Sequence, residues 1–248
     1  MKTNIRLRSI EVLFLSLAFL GLNGCNKTAS IHEDGYFRYI YLGENSRFQN
    51  KNDKSIVIVG FTELGLKQER LDIPKEIGGF QVKYLGLRDE GIDHNNNREI
   101  ICSSNLKKIF VFDTLERIDC FEGPNVDIML CSNKYELTIS NTFKHLYLYA
   151  PLFQEKGYVP SNKDDKTVQS ANISFLLNSN VKDNSDLYRI DNVSSNEKIV
   201  MPPNPSRGDF LFTGWYTEPE CLNAWDFNSA LTIEKNNEFV LYAGWDNL

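Results

Sequence analysis

Leu106-Lys-Lys-Ile-Phe-Val-Phe-Asp113 carries a short apolar run bounded by polar residues. Comparable runs return at Val126–Cys131 and at Leu146–Tyr149. Within them Ile109, Ile128 and Leu146 lie 19 and 18 residues apart. A short strand that recurs with a return leg of variable length is the pattern of a solenoid. A single coil cannot bury its own apolar edge, whereas stacked coils share a continuous core. The competing reading is an irregular β-domain with accidental spacing.

Working outward from this run, further strands are expected at Tyr36–Leu42, Ser55–Phe61, Arg70–Ile73 and Val82–Leu85. Long helical periodicity is nearly absent. Aromatic content is 12%, with Tyr and Phe dominating, and β-branched residues are common, a mix that fits pleated sheets. These strands place a β-domain over residues 36–153.

Ser55-Ile-Val-Ile-Val-Gly-Phe61, Leu71-Asp-Ile-Pro74, Ile77-Gly-Gly-Phe-Gln-Val82 and Tyr84-Leu-Gly86 follow one another in order. They resemble the opening of BspA-type leucine-rich repeat proteins. Leu106–Asp113 followed by Leu115, Ile118 and Phe121 is similar to one further repeat. Pro74 removes a donor and ends a ladder, and Gly78-Gly79 permit a sharp return. The likeness covers about half of the segment. Residues 87–104 read as an insertion, and residues 122–145 match poorly. The resemblance implies a short, irregular leucine-rich-repeat-like β-solenoid.

The tail changes character. Met201-Pro-Pro-Asn-Pro205 leads into Phe210-Leu-Phe-Thr-Gly-Trp-Tyr216. Ala224-Trp-Asp-Phe227 follows, and the chain closes on Phe239-Val-Leu-Tyr-Ala-Gly-Trp245. This series resembles the internalin B-repeat, or Listeria–Bacteroides repeat, over residues 171–248, and implies a small β-grasp-like α+β module. Asn178-Ser179-Asn180 stands where a Gly-Gly turn is usual. Asp209 occupies the place of a common Gly, with Gly208 one position earlier, and Asp tolerates the left-handed conformation. Trp215, Trp225 and Trp245 raise a carbohydrate-stacking reading. Burial is the favoured reading, because a domain this small needs large apolar side chains.

At the other end, Lys2, Arg6 and Arg8 precede an apolar run, Val12–Leu22, that ends in Leu22-Asn23-Gly24-Cys25. The run suits a signal h-region and is too short for a spanning helix. The ending resembles the bacterial lipobox, with Asn23 in place of the usual Ala or Ser, and implies a lipid on Cys25. An ordinary signal peptide with a chance Cys is the alternative. Residues 1–24 are thus expected to be a lipoprotein signal peptide and residues 25–35 the lipidated Cys and a polar tether. Residues 154–170, including KGYVPSNKDDKTVQS, read as a linker.

The formal charge is −6; residues 1–25 carry Lys2, Arg6, Arg8 and Glu11, a net +2, so the remainder carries −8. An acidic body without a basic patch argues against nucleic acid as a partner. Cys102, Cys120, Cys131 and Cys221 allow several pairings, among which the sequence does not choose. Cys120 and Cys131 lie in apolar stretches and read as buried small hydrophobes. Asp93-His94-Asn95-Asn96-Asn97 resembles a calcium loop in part, but Arg98 and Ser104 stand where the turn Gly and the bidentate Glu belong. His32 is assigned to the tether and His145 to a strand face. Asp164-Asp165 lacks apolar surroundings that would raise a pKa. The expectation is therefore a non-enzymatic protein without metal or cofactor, lipid-anchored to a membrane of the bacterial cell envelope and surface-exposed. It would act as a protein-binding or adhesion module, with glycan binding in an uptake or cell-wall system as the alternative.

Overall fold

Leu71, Ile109, Ile128, Leu146 and Val168 stand side by side across one sheet, each the direct partner of the next. The computed structural model describes residues 30–42, 55–86, 100–119, 121–133, 137–139, 142–156, 168–179, 186–232 and 238–248. The strands are β1 (His32–Asp34), β2 (Phe37–Tyr41), β3 (Ile56–Phe61), β4 (Arg70–Asp72), β5 (Glu76–Ile77) and β6 (Phe80–Leu85). They continue as β7 (Ile100–Ile101), β8 (Lys108–Phe112), β9 (Arg117–Ile118), β10 (Phe121–Cys131), β11 (Thr138–Ile139) and β12 (Thr142–Leu148). Helix α1 (Ala150–Lys156) precedes β13 (Val168–Ser170), β14 (Ile173–Leu176), β15 (Leu187–Asp191), β16 (Phe210–Tyr216) and β17 (Phe239–Asn247).

From β3 onward the chain shuttles between two sheets. One has the order β1-β2-β3-β6-β9-β11, with β5 against β6; the other runs β13-β12-β10-β8-β4, with β7 against β10. Neighbours from β3 to β11 in the first sheet and throughout the second are parallel. Parallel neighbours require a crossover, and here the crossovers from β3 to β12 pass through the other sheet, whereas the one from β12 to β13 carries α1. Ile56, Ile58, Val82 and Ile118 of the first sheet meet Leu71, Ile109, Ile128 and Leu146 of the second in one buried core. Each such fully buried side chain contributes about 1.5–3 kcal/mol. The 19- and 18-residue spacing is therefore a spacing of strands in register. Each expected strand is present. The additional strands β1, β5, β7, β9, β11 and β13 are too short to show a periodicity.

The ordered body is wider than the residue pattern suggests. His32–Asp34, within the expected tether, pairs antiparallel with β2. Val168–Ser170, at the end of the expected linker, adds to the second sheet beside β12. Pro151 suits the first turn of α1, which buries Leu152 against Tyr149 and Ala171.

The tail forms a four-stranded sheet of order β15-β14-β17-β16. Its central pair β14/β17 is parallel and both flanking pairs are antiparallel. The mainly-β character extends into the tail, where no α-helix is found among the described residues. Pro202, Pro203 and Pro205 deny the β15–β16 connection the donors and the backbone freedom that a helix needs. Asn178 takes the left-handed turn conformation with φ 53°, and its side chain donates to the Pro219 carbonyl at 2.9 Å. At the second departure Gly208, with φ 41°, takes the positive angle, so Asp209 does not need it.

One turn tolerates nothing larger than glycine. A Cβ on Gly65 would lie 2.3 Å from the Tyr36 carbonyl oxygen and 3.1 Å from Phe61 Cβ. Gly65→Ala is expected to lower stability by about 1–3 kcal/mol through this overpacking. Urea unfolding checks it; an unchanged midpoint would mean that the turn relaxes freely.

Candidate functional site

Strand alternation builds the site. Inward residues Leu71, Ile109, Ile128 and Leu146 leave their neighbours facing out. One outward row reads Arg70, Lys108, Asp127, His145, and the next reads Asp72, Phe110, Met129, Tyr147. The tail module covers much of this face. Ile190 of β15 packs with Phe110, Met129, Cys131, Tyr147 and Ala171 in a buried cluster.

Charges flank the cluster. Arg189 is buried and donates from both guanidinium nitrogens to Asp72, at 2.6 Å each. Its guanidinium lies 3.5 Å from the centroid of the Phe110 ring, with Arg70 also over that ring at 4.9 Å. Burial opposes the charge on Arg189, but hydrogen bonding to Asp72 and the neighbouring negative groups outweigh it, and its pKa is raised. Asp191, 1% exposed, accepts from Arg70 at 2.5 Å and Lys108 at 2.7 Å. It also accepts the Asn192 N–H at 2.8 Å. Lys108 donates to the Asn192 carbonyl at 2.5 Å. A bidentate guanidinium–carboxylate pair fixes orientation as well as distance. The module is thus set at a defined angle on the sheet.

A cleft of about 380 Å³ opens beside this joint, lined by Lys75, Phe112, Asp113, Cys131, Leu187 and Tyr188 among others. Lys75 pairs with Asp113 at 2.8 Å and lies over Phe112. Burial pushes the Cys131 thiol up to about 12, so it remains protonated at neutral pH and is a poor nucleophile. Such walls suit contact with an apolar group beside a polar one. A second, more open depression of about 640 Å³ lies at the β1–β2 turn, bordered by Glu33, Arg38, Phe61, Leu64 and Leu66.

Several residues singled out from sequence lie outside the described residues: Cys25, Asp93 to Asn97 with His94, Cys120 and Asp164-Asp165. Cys131 is buried, and Cys102, Cys131 and Cys221 are free thiols. His32 stacks on Tyr39 at 5.6 Å. His145, on β12, shares a 2.9 Å hydrogen bond with Asp127. Trp215, 2% exposed, is ringed by Phe175, Phe212 and Tyr188. Trp225 packs on Phe239, and Trp245 donates its indole N–H to the Leu177 carbonyl at 2.5 Å. The three tryptophans are joined to one apolar cluster and do not form an exposed row. Asp226, of the Asp-Phe pair, accepts the Asn228 N–H and the Ser229 hydroxyl; these bonds lower its pKa and close a turn.

Arg189 and Asp191 were not singled out from sequence. The available signal was ionic residues at alternate positions in apolar strands, in Arg70-Leu-Asp72 and Tyr188-Arg-Ile-Asp191.

Residues 172–244 match the family model of the Listeria-Bacteroides repeat domain. No curated protein sequence is similar enough to the chain to count as a relative.

Proposed function

We propose that the chain is a lipid-anchored bacterial envelope protein whose work is binding, not catalysis. In this reading residues 36–153 are a leucine-rich-repeat-like solenoid and residues 171–248 a β-grasp-like repeat module. Together they form one rigid body that presents its surface to a protein partner, in the manner of an adhesion module. The carrying observation is the joint: bidentate Arg189–Asp72 and the doubly paired Asp191 hold the module on the strand ladder. A stiff body loses less conformational freedom on binding than a hinged one.

Two experiments test the reading. Immobilised full-length protein is expected to retain envelope or extracellular-matrix proteins. Retention of polysaccharide with no protein retained would replace the proposal by glycan binding. Separately, Cys25→Ser is expected to move the protein from the membrane to the soluble fraction. Each lipid methylene contributes about 0.8 kcal/mol to anchoring. Unchanged membrane partitioning of that variant would end the anchoring half of the proposal.

A further inference from the structure

The β1–β2 turn carries a feature that the joint does not use. Tyr36, Leu64 and Leu66 are 43%, 58% and 39% exposed; Leu64 and Leu66 border the depression at the β1–β2 turn, and the backbone of Tyr36 is bound to the turn that carries them. The Thr62 N–H donates to the Tyr36 carbonyl at 3.0 Å, and the Thr62 hydroxyl donates to the Gly35 carbonyl at 2.9 Å. Gly65 lies directly against the same Tyr36 oxygen. The turn over Gly65–Lys67 is not slack. Leu66 N–H donates to Thr62 at 2.9 Å and Gln68 N–H to Gly65 at 3.1 Å; the Gln68 amide also donates to the Leu64 carbonyl at 3.1 Å. Two leucines and a tyrosine are therefore held outward by a braced turn. Isolated exposed apolar residues are ordinary; here three are carried on one braced turn, which keeps their ordering cost on contact low.

The surrounding charge narrows the occupant. Arg38 and Lys67 stand against Glu33, Asp34 and Glu63, a balance of −1, and Arg38 is already paired with Glu33 at 3.3 Å. Such a rim favours an uncharged apolar boundary over a strongly charged partner. Chain length identifies which boundary lies near. Five residues separate Cys25 from Ile31, six steps of chain that span at most about 20 Å. Ile31 itself is exposed and enters β1, whose length sets the turn only about 13 Å further on. A tether of this reach holds a weak apolar surface at high effective concentration against whatever carries the lipid.

We propose that the Tyr36, Leu64 and Leu66 surface rests on the bilayer that holds the lipid of Cys25, so that the body stands on the membrane by its β1–β2 end. This rests on the lipid anchorage proposed above. Tyrosine with its polar tip, and leucines on a short turn, suit the boundary between headgroups and acyl chains.

The test uses full-length protein reconstituted in phosphatidylcholine vesicles with brominated acyl chains, after the mass of its N-terminal peptide has been measured. Leu64→Trp adds a fluorophore at the surface; Leu222→Trp adds one at an exposed position of the tail module. The fluorescence added by Leu64→Trp is expected to be quenched at least about twofold more than that added by Leu222→Trp, since contact reaches the acyl boundary. Equal quenching with the lipid present overturns the bilayer contact and leaves the anchorage standing. An N-terminal peptide without lipid removes the anchorage, and the contact falls with it. Concentration-dependent self-association without vesicles, lost in the Leu64→Ser/Leu66→Ser variant, would assign the surface to a second copy of the chain and overturn the proposal.

Discussion

Asp191→Ala is expected to lower the stability of the protein by about 3 kcal/mol, the lower end of the usual cost of orphaning buried ionic partners. Asp191 accepts from both Arg70 and Lys108, and its loss leaves two cations facing each other under the module. Two features moderate the effect: Arg70 keeps part of its side chain in water, and Asp127 is the strand neighbour of Lys108. Urea unfolding with an unchanged slope would report it as a shifted midpoint. Asp113→Ala is the control, because both ends of the Lys75–Asp113 pair are more than half exposed and exposed pairs contribute about 0–1 kcal/mol. Equal shifts for the two variants would show that the joint is not a buried network, and the rigid-body reading of the function would lose its support.

Trp215→Ala is expected to cost about 3–5 kcal/mol, the range for emptying a buried tryptophan site. The indole fills the centre of the tail module among Phe175, Phe212 and Tyr188. The cavity would lie on the buried face of the sheet, where paired strands hold Phe175, Leu241 and Ala243 in place around it. Chemical denaturation followed by circular dichroism checks the value. A change below about 0.5 kcal/mol, the range of ordinary surface substitutions, would mean that Trp215 is not core and would reopen carbohydrate stacking. Together the two variants separate the cohesion of the module from its attachment to the ladder.

The parts of the architecture legible in the residues are those that repeat locally. Ile109, Ile128 and Leu146 betray their strands because each coil must supply an apolar residue at the same depth of the core. The tail is legible for a related reason: its Gly-Trp-Tyr and Ala-Gly-Trp strands keep their order along the chain, and residues 172–244 match a repeat family. The strands that escaped notice, such as β9 and β11, have two residues each, fewer than one period of alternation needs. No α-helix is found among the described residues of the tail, and Pro202, Pro203 and Pro205 keep their own segment out of one.

What the sequence determined by itself is the mainly-β character and the strand spacing, because both depend on contacts that recur every few residues or every coil. The tertiary structure decided how the two parts meet. Arg189 and Asp191 lie 117 and 121 residues from Asp72 and Arg70, and nothing in either short strand names its partner. Ionic side chains among apolar ones look like a solvated face until the opposing strand is in place, and only then does their burial turn them into a joint.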